Sequence, residues 1–305
     1  MTLSNTIIVV VGPTASGKSK LATKIAGLYN GEIINADSRQ IYRYLNIGTA
    51  KPSTSELQEI PHHLVDIIDP DEKYSLGLFL KDANKSITKI FSVGKLPVVV
   101  GGSGQYIWAL LEGWQVPEIP PSSQIRIQLE NKVSQYGYQS IHKELADIDS
   151  ASASRIDARN TRRVIRALEL NYLNLPPSSL KTGKISPEFQ YIIVGLNLDR
   201  QILYNKIDIR VDSMIESGWI SEVQNLLEKG YELDLPSMSS IGYKEIGKYI
   251  INKTSLSVTI SVIKNRSHRF ARQQHNWFRK TDPRIKWFDA SKPWIAESFI
   301  ADLVG

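Results

Sequence analysis

The 305-residue sequence contains no cysteine. Disulfides, thiolate nucleophiles and cysteine-ligated zinc are therefore excluded. The sequence also lacks an apolar run of the roughly 20 residues that a membrane-spanning helix needs, and we expect no membrane association. Ile7–Val11 follows Met1 too closely to leave room for a basic leader and a cleavage site. We therefore expect an untargeted, cytoplasmic protein.

Acidic residues are fewer than basic ones, with 31 Asp and Glu against 37 Lys and Arg. The resulting net charge of +6 is compatible with a mildly basic soluble protein of no particular partner. It indicates a polyanionic partner only if the positive residues cluster, and they do so in two segments described below.

Short apolar segments alternate with helical patterns over much of the chain, which is typical of an α/β fold with a parallel sheet. An amphipathic helix is predicted at Leu76–Phe91. The predicted strands are Thr6–Val11, Glu32–Ala36, His63–Ile68, Pro97–Val100, Tyr191–Leu198 and a weaker Ile285–Asp289.

A segment of different character interrupts this alternation. Val116–Pro121 is rich in proline, which blocks helix and sheet alike and is typical of a linker. The pattern from Ser122 to about Leu173 is helical and polar. We predict an α/β core domain formed by residues 1–115 and 186–305, with an all-helical insertion at residues 116–185.

The clearest motif is a phosphate-binding loop that directly follows the first predicted strand and begins a helix. Glycines let the backbone wrap an anion, the helix N-terminus adds partial positive charge, Lys18 adds a full charge, and the Ser19 hydroxyl is placed to bind Mg²⁺. The core is thus predicted to be P-loop NTPase-like, with a bound di- or triphosphate. The motif G-x-x-x-x-G-K-[ST] is matched by Gly12, Pro13, Thr14, Ala15, Ser16, Gly17, Lys18 and Ser19.

The sequence departs from a nucleoside triphosphatase at the next buried strand. Such enzymes carry an aspartate there that supports the metal, but Pro97–Val100 is followed by Gly101-Gly102-Ser103-Gly104. Asp66 and Asp69 are weak substitutes. This difference disfavours a kinase or an ATPase.

Asp37 follows the second predicted strand, and ligands of open α/β sheets bind at the carboxyl ends of the strands. A carboxylate beside the phosphate loop could act as a general base toward a nucleophile. Asp-Ser is equally common as a cap of a turn or helix. Spacing alone does not decide between the two roles.

Taken together, the motifs resemble those of the tRNA dimethylallyltransferases, also called isopentenylpyrophosphate transferases. The resemblance extends from residue 7 to about residue 280. Besides the phosphate loop, it rests on Asp37–Tyr42, Asn46–Pro52, Pro61–Asp66, Val100–Tyr106, Arg159-Asn160, Arg163–Glu169 and Gly242–Glu245.

The resemblance implies transfer of a dimethylallyl group from dimethylallyl diphosphate to N6 of the adenosine directly 3′ of the anticodon of tRNA, with Mg²⁺ as cofactor. It implies that Thr14–Ser19 and Arg210 bind the diphosphate, with Lys18 acting in catalysis. Asp37 would be the base, and Ser103, a threonine in many relatives, would lie near the reacting centre. The tRNA contacts would include Asp37, Ser38, Arg39, Gln40, Ser103 and Arg126. A monomer is expected.

Two basic segments are candidates for the tRNA surface. Arg155, Arg159, Arg162 and Arg166 are spaced to share one helical face, with Arg163 beside them and few acids nearby, which favours phosphate contacts. A second helix is predicted from about Ser255 to Lys280. Its expected buried stripe is Leu256, Ile260, Ile263, Phe270 and Trp277, and its interspersed cations are Lys264, Arg266, Arg269, Arg272, Arg279 and Lys280.

Three alternatives stay open. A prenyltransferase of free AMP, ADP or ATP would share the phosphate loop and the base, but it would not need the arginine-rich insertion. A small-molecule kinase is a second alternative from another class. A non-catalytic tRNA-binding protein would leave the intact phosphate loop unexplained.

Overall fold

The computed structural model describes residues 5–116, 122–178 and 184–304. Most of the linker predicted at Val116–Pro121 lies outside these residues. None of the helices in the described ranges is both long and apolar enough to cross a membrane.

In the described residues, six strands form one sheet in which every pair is parallel. Their order across the sheet is β3-β2-β4-β1-β5-β6. The central strand β1 is buried along its whole length, as its unbroken apolar sequence predicts. The strands are β1 (Thr6–Val11), β2 (Gly31–Asn35), β3 (His62–His63), β4 (Leu96–Val100), β5 (Gln190–Asn197) and β6 (Ile285–Asp289).

Helices connect the strands of this sheet and continue the chain beyond β5. A short 3₁₀ helix at Ser237–Ser239 lies between the helices Trp219–Glu228 and Tyr243–Ile250. The helices of this core are α1 (Lys18–Leu28), α2 (Thr54–Glu59), α3 (Leu76–Ser92), α4 (Gly104–Leu111), α9 (Arg200–Glu216), α10 (Trp219–Glu228), α11 (Tyr243–Ile250), α12 (Leu256–Trp277) and α13 (Pro293–Val304). The intervening segment contains α5 (Ser123–Tyr136), α6 (Tyr138–Ile148), α7 (Ser150–Ala153) and α8 (Thr161–Tyr172).

The α/β class and the helical character of the insertion are confirmed. The third predicted strand, His63–Ile68, is wrong in extent, because β3 contains only His62 and His63. Leu64 and Asp66 adopt positive φ angles of 64° and 55°, which no strand can accommodate. Beyond that point Ile68 forms an isolated parallel bridge with Tyr42, which lies after β2.

The chain divides into two compact units, Met1–Gly113 with Ser186–Gly305, and Trp114–Ile185. The second unit has its own small apolar core, contributed by α5 to α8. Near its two ends, Trp114 and Lys184 form an isolated antiparallel bridge. The buried residues of its core are Leu129, Ile141, Leu145, Ala153, Val164, Ile165, Ala167 and Leu168.

Candidate active site

The loop between β1 and α1 has the backbone that an anion-binding loop needs. Gly12 and Gly17 have φ angles of 144° and 90°, and α1 begins directly afterwards at Lys18. A Cβ at Gly12 would collide with the carbonyl oxygen of Leu196, so a larger residue does not fit there. The Ser16 hydroxyl is buried, and its oxygen finds no hydrogen-bond partner in the described residues. An unsatisfied buried hydroxyl is a group that a bound anion could satisfy.

This loop opens into a cavity of about 460 Å³ at the carboxyl ends of the strands. Its walls come from the phosphate loop, the segment after β2, the glycine-rich segment after β4, and the helices α9 and α12. The described residues that line it include Thr14, Ala15, Gly17, Lys18, Ser19, Lys20, Asn35, Asp37, Gln40, Thr49, Ala50, His62, Gly101, Gly102, Lys206, Arg210, Phe270 and Gln274.

Positive charge exceeds negative charge in this cavity. Among the described lining residues, Lys18, Lys20, Lys206 and Arg210 face a single carboxylate, that of Asp37. Burial and the nearby Arg210 lower the pKa of Lys18 from 10.5 to about 7, although Asp37 opposes the shift. Burial also lowers the pKa of Arg210, again against the attraction of Asp37. Burial disfavours the charged forms of these two side chains, and a bound anion would favour them.

The Asp37 carboxylate is held in a turn at the end of β2. Its Oδ1 accepts a hydrogen bond of 2.9 Å from the backbone N–H of Arg39, and its own N–H donates to Asn35 Oδ1 at 3.1 Å. Buried Asn35 in turn donates to the carbonyl of Leu64 at 2.9 Å. Asp37 therefore caps a turn and faces the cavity at once, so the two interpretations left open by the sequence are compatible. Within the described residues, the Asp37 carboxylate accepts one hydrogen bond, which comes from the Arg39 N–H.

The residues after Asp37 are fixed by contacts within the core. Ser103, which precedes α4, accepts a hydrogen bond from the Ser38 N–H at 3.1 Å through its hydroxyl, so it supports the Asp37 loop. The Arg39 guanidinium donates to the Pro236 carbonyl at 2.7 Å, and Gln40 Nε2 donates to the Thr49 carbonyl at 3.0 Å. Gln40 lines the cavity, whereas Ser103 and Arg39 are not among its lining residues.

Several lining residues were not predicted as site residues, and Lys206 and Gln274 are the most informative of them. Lys206 precedes Arg210 by four positions on α9, a spacing that puts both on one helical face and could have indicated it. Gln274 on α12 is 3% exposed and connects two loops. Its Oε1 accepts from the Thr14 N–H at 2.7 Å, and its Nε2 donates to the Gly102 carbonyl at 3.2 Å. No local pattern indicates such a bridge between distant segments.

Two of the family motifs meet around Glu222 and Trp219 on α10. Glu222 accepts backbone hydrogen bonds from Asn46, Ile47 and Gly48 at 3.0, 2.8 and 3.3 Å. A Cβ at Gly48 or at Gly242 would overlap the Trp219 ring, which explains why both positions are glycine. The segment that supplies Thr49 and Ala50 to the cavity is therefore anchored to α10.

The oxygen ligands available in the cavity fit a metal ion that is bound mainly by the phosphates of a ligand. The described residues contain no group of three or more His, Asp or Glu side chains that could hold a metal by themselves. Ser19 is exposed and lines the cavity. Mg²⁺ commonly uses one or two protein oxygens, with phosphates and waters as its other ligands, so a lone hydroxyl beside a phosphate loop suffices.

The arginines of the helical unit do not share one helical face as predicted. Asn160 caps α8, so Arg155 and Arg159 precede the helix, and the expected continuous face is wrong. The Asn160 side chain accepts from the Arg163 N–H, which fixes the start of the helix at this point. Arg159 pairs with Asp157 at 2.7 Å. Arg162 and Arg163 are exposed and pair with no acid in the described part of the chain.

Arg126 and Arg166 share the carboxylate of Glu169, which is fully buried. Arg126 donates to its two oxygens at 2.8 and 3.1 Å, and Arg166 lies 3.4 Å away. The Ser122 N–H donates to the same carboxylate at 3.1 Å. These two arginines therefore have a structural partner, and their prediction as tRNA contacts stays a prediction.

Arg126→Gln is expected to lower the free energy of unfolding by about 1–3 kcal/mol, because it leaves the buried Glu169 carboxylate short of a charged donor. Arg162→Gln is the matched control in the same unit, since this exposed residue should cost less than about 0.5 kcal/mol. Urea denaturation of both variants measures the difference. Equal stabilities would show that the Glu169 pairing contributes nothing net.

The buried stripe predicted for α12 is only partly correct. Ile263 is buried, but Phe270 and Trp277 are 37% and 38% exposed. The buried positions are instead Thr259, Ile263, Ala271 and Gln274. The polar Gln274 can be buried in this stripe because the Thr14 N–H and the Gly102 carbonyl satisfy its amide. Phe270 lines the cavity.

Comparison with known proteins identifies the family. A model of the IPP transferase family matches residues 40–281, and one of isopentenyl transferases matches residues 5–68. The sequence is 42% identical over 287 residues to a tRNA dimethylallyltransferase of Roseiflexus castenholzii, covering 94% of each chain.

Solved structures give the same result. A full-length tRNA isopentenylpyrophosphate transferase from Bacillus halodurans is similar with a TM-score of 0.72 and 38% identity, over 98% of this chain and 97% of that one. A eukaryotic dimethylallyltransferase, studied in snapshots of its action on tRNA, reaches a TM-score of 0.81 at 28% identity, over 98% of this chain and 80% of that one. With its phosphate loop, its Asp37 loop and this extent of similarity, the chain belongs to the IPP transferase family.

Proposed function

We propose that this protein transfers a dimethylallyl group from dimethylallyl diphosphate to N6 of the adenosine directly 3′ of the anticodon in tRNA. The observation that carries the proposal is the cavity in which the Asp37 carboxylate faces Lys18 and Arg210. One side of that cavity suits a diphosphate, and the other offers a proton acceptor. The tRNA-directed names of the similar proteins support the choice of acceptor.

Lys18, Arg210 and the amides of the phosphate loop would bind the diphosphate and stabilise the charge that develops on it as the allylic C–O bond breaks. Adenine N6 attacks the allylic carbon, and its proton passes to the Asp37 carboxylate as the C–N bond forms. Diphosphate leaves with the electron pair of the broken bond. No covalent enzyme intermediate is required.

We also propose that Mg²⁺ is held by the Ser19 hydroxyl and by the diphosphate oxygens, where it would supply further charge neutralisation. Ser103 would act through the Asp37 loop, since its hydroxyl accepts the Ser38 N–H. We assign it to positioning the base.

Incubation with unmodified tRNA, labelled dimethylallyl diphosphate and Mg²⁺, followed by nucleoside analysis, tests the function. We expect labelled N6-isopentenyladenosine from tRNA and little product from AMP, ADP or ATP as acceptors. Product from the free nucleotides alone would contradict the choice of acceptor. Transfer of phosphate from ATP to a small molecule, with no prenyl transfer, would contradict the reaction itself.

Arg162 and Arg163 are expected to contact tRNA phosphates, because they are exposed and lack acidic partners in the described residues. Changing both to Gln should weaken tRNA binding and reduce the slope of log affinity against log salt by about 0.7–0.9 per lost contact. Filter binding at salt concentrations between about 50 and 200 mM measures the slope, because the affinity of phosphate-contacting proteins falls steeply over this range.

The matched control for this prediction is Lys85→Gln with Lys286→Gln, which removes the same charge from exposed positions of the core. The control should leave the slope unchanged. Binding of dimethylallyl diphosphate should be unaffected in both proteins, since neither pair lines the cavity. A slope unaltered by the arginine changes would remove these two residues from the tRNA surface.

A further inference from the structure

Gln274 is a buried polar side chain on α12 whose amide joins two backbone segments at the carboxyl edge of the sheet. Its Oε1 accepts from the Thr14 N–H at 2.7 Å, and its Nε2 donates to the Gly102 carbonyl at 3.2 Å. A backbone N–H can only donate and a carbonyl can only accept, so these two partners fix the orientation of the amide. One side chain therefore connects the phosphate loop with the glycine-rich segment after β4.

The glycine-rich segment leads directly to the general base. The Ser103 N–H donates to the Ala36 carbonyl at 3.3 Å, and the Ser103 hydroxyl accepts from the Ser38 N–H at 3.1 Å. A Cβ at Gly101 would lie 2.2 Å from the Ala36 carbonyl oxygen, so only glycine allows this close approach. Because Asp37 lies between Ala36 and Ser38, the glycine-rich segment holds the backbone on both sides of the base.

The glycine at position 102 makes room for the amide. A Cβ at Gly102 would lie 2.1 Å from Gln274 Nε2 and 3.3 Å from Gln274 Cδ. Gly102 does not adopt a positive φ angle, so its backbone alone would accept another residue. The space that a side chain would need at this position is therefore the space that the Gln274 amide occupies.

Contacts further along α12 fix the position of the amide. Trp108 Nε1 on α4 donates to the Trp277 carbonyl at 2.8 Å. A Cβ at Gly104 would overlap the Trp277 ring, so α12 approaches the start of α4 closely. Gln274 and Trp277 are three positions apart and share one face of the helix. Since α12 is held against the segment that Gln274 contacts, the amide can act as a spacer of fixed length.

We propose, on the basis of the proposed function, that Gln274 is a positioning residue for prenyl transfer, whose amide sets the separation between the phosphate loop and the Asp37 loop. The phosphate loop would hold the diphosphate and Asp37 would accept the proton, so this separation sets how adenine N6 approaches the allylic carbon. Displacement of a reacting group by about 1 Å can lower a rate about 10²-fold. Gln274 acts through the backbone at Thr14 and Gly102, and it takes no part in proton transfer.

Gln274→Met keeps the approximate length of the side chain but loses both hydrogen bonds. The single-turnover rate at saturating tRNA and dimethylallyl diphosphate should fall about 10–100-fold, while the affinities for both substrates change much less. Gln224→Met is the matched control, because Gln224 is exposed on α10 and does not line the cavity. The control should react at the wild-type rate. Circular dichroism gives the folded fraction of each protein. A merely structural role would lower the melting temperature but leave the rate per folded molecule unchanged, and that result would overturn the proposal.

Gly102→Ala tests the same connection without removing a polar atom. The added methyl group should displace the Gln274 amide and slow the reaction about tenfold or more. In a Gln274→Ala background the methyl group meets no amide, so Gly102→Ala should have little further effect. Independent, multiplicative effects of the two changes would contradict the proposal. Gly102→Ala alone decides the matter if the Gln274 variants do not fold, since a wild-type rate in this variant excludes the spacer.

The wild-type reaction separates this proposal from the proposed function. Wild-type protein that forms no labelled N6-isopentenyladenosine would contradict the proposed function and the role of Gln274 together. Active wild-type protein whose rate is matched by both Gln274→Met and Gly102→Ala would contradict the role of Gln274 alone.

Discussion

Asp37→Asn is expected to lower the rate of prenyl transfer about 10²–10⁴-fold, because an amide cannot accept the N6 proton. The fold should persist, since the amide oxygen can still accept the hydrogen bond that Arg39 N–H now donates to Oδ1. Single-turnover assays with saturating tRNA measure the chemical step. Affinities for tRNA and for the diphosphate should change much less than the rate.

Asp37→Ala separates the chemical role from the structural one. It removes both the base and the acceptor of the turn, so it should lose the same activity and, in addition, about 1 kcal/mol of stability. Asp37→Asn with wild-type activity would exclude Asp37 as the base. If the Asn variant is inactive only because it unfolds, the Asp37 carboxylate has a structural role in the turn and no demonstrated role as a base.

Lys18→Met is expected to reduce turnover about 10²–10³-fold, because it removes a charged donor from the leaving diphosphate. Methionine retains much of the length of the lysine chain, so the cavity keeps its shape. Affinity for dimethylallyl diphosphate should fall with turnover, whereas tRNA affinity should persist. Steady-state kinetics with separate binding measurements for the two substrates check this. Normal turnover would remove Lys18 from the mechanism.

The same substitution is expected to stabilise the ligand-free protein at neutral pH, by on the order of 1 kcal/mol or more. The pKa of Lys18 falls from 10.5 to about 7 on folding, so the unfolded chain binds more protons between these values. Wild-type stability should therefore rise with pH from about 7 to 10.5. The advantage of Lys18→Met should be largest below pH 7 and disappear near pH 10.5. Thermal unfolding of both proteins across this range measures the trend.

Diphosphate binding should have the opposite pH dependence. The anion favours the charged lysine, so binding above pH 7 takes up a proton, and affinity should fall as pH rises. Calorimetry in buffers of different ionisation enthalpy detects that proton. If the affinity for the diphosphate does not change with pH above 7, Lys18 is not deprotonated in the free protein over that range.

Local patterns were sufficient for much of the fold. The unbroken apolar run of β1 and the phosphate loop after it predicted the parallel sheet and its ligand-binding edge. They failed where the backbone leaves the allowed region of a strand, as at Leu64 and Asp66. A positive φ in a residue other than glycine depends on tertiary contacts that a sequence pattern does not contain.

Site residues that belong to a single loop could be predicted from the sequence. Site residues brought together from distant segments could be predicted much less well. Lys18 and Asp37 belong to local motifs, but Gln274 lines the cavity only because α12 packs beside the phosphate loop. The arginines of the insertion show the same limit. Their spacing indicated a single face, yet Asn160 begins α8 after Arg159, and buried Glu169 recruits Arg126 from another helix.

The bridge between Trp114 and Lys184 has a consequence for protein engineering. The bridge brings the two ends of the insertion together. A short linker could therefore replace the insertion and join the core residues on either side of it. Each halving of a closed loop recovers about 0.6 kcal/mol of chain entropy, so a short linker is expected to lower the entropic cost of closing this connection. The helical unit therefore combines closely spaced ends with a small core of its own, the two properties that favour replacement of an inserted segment.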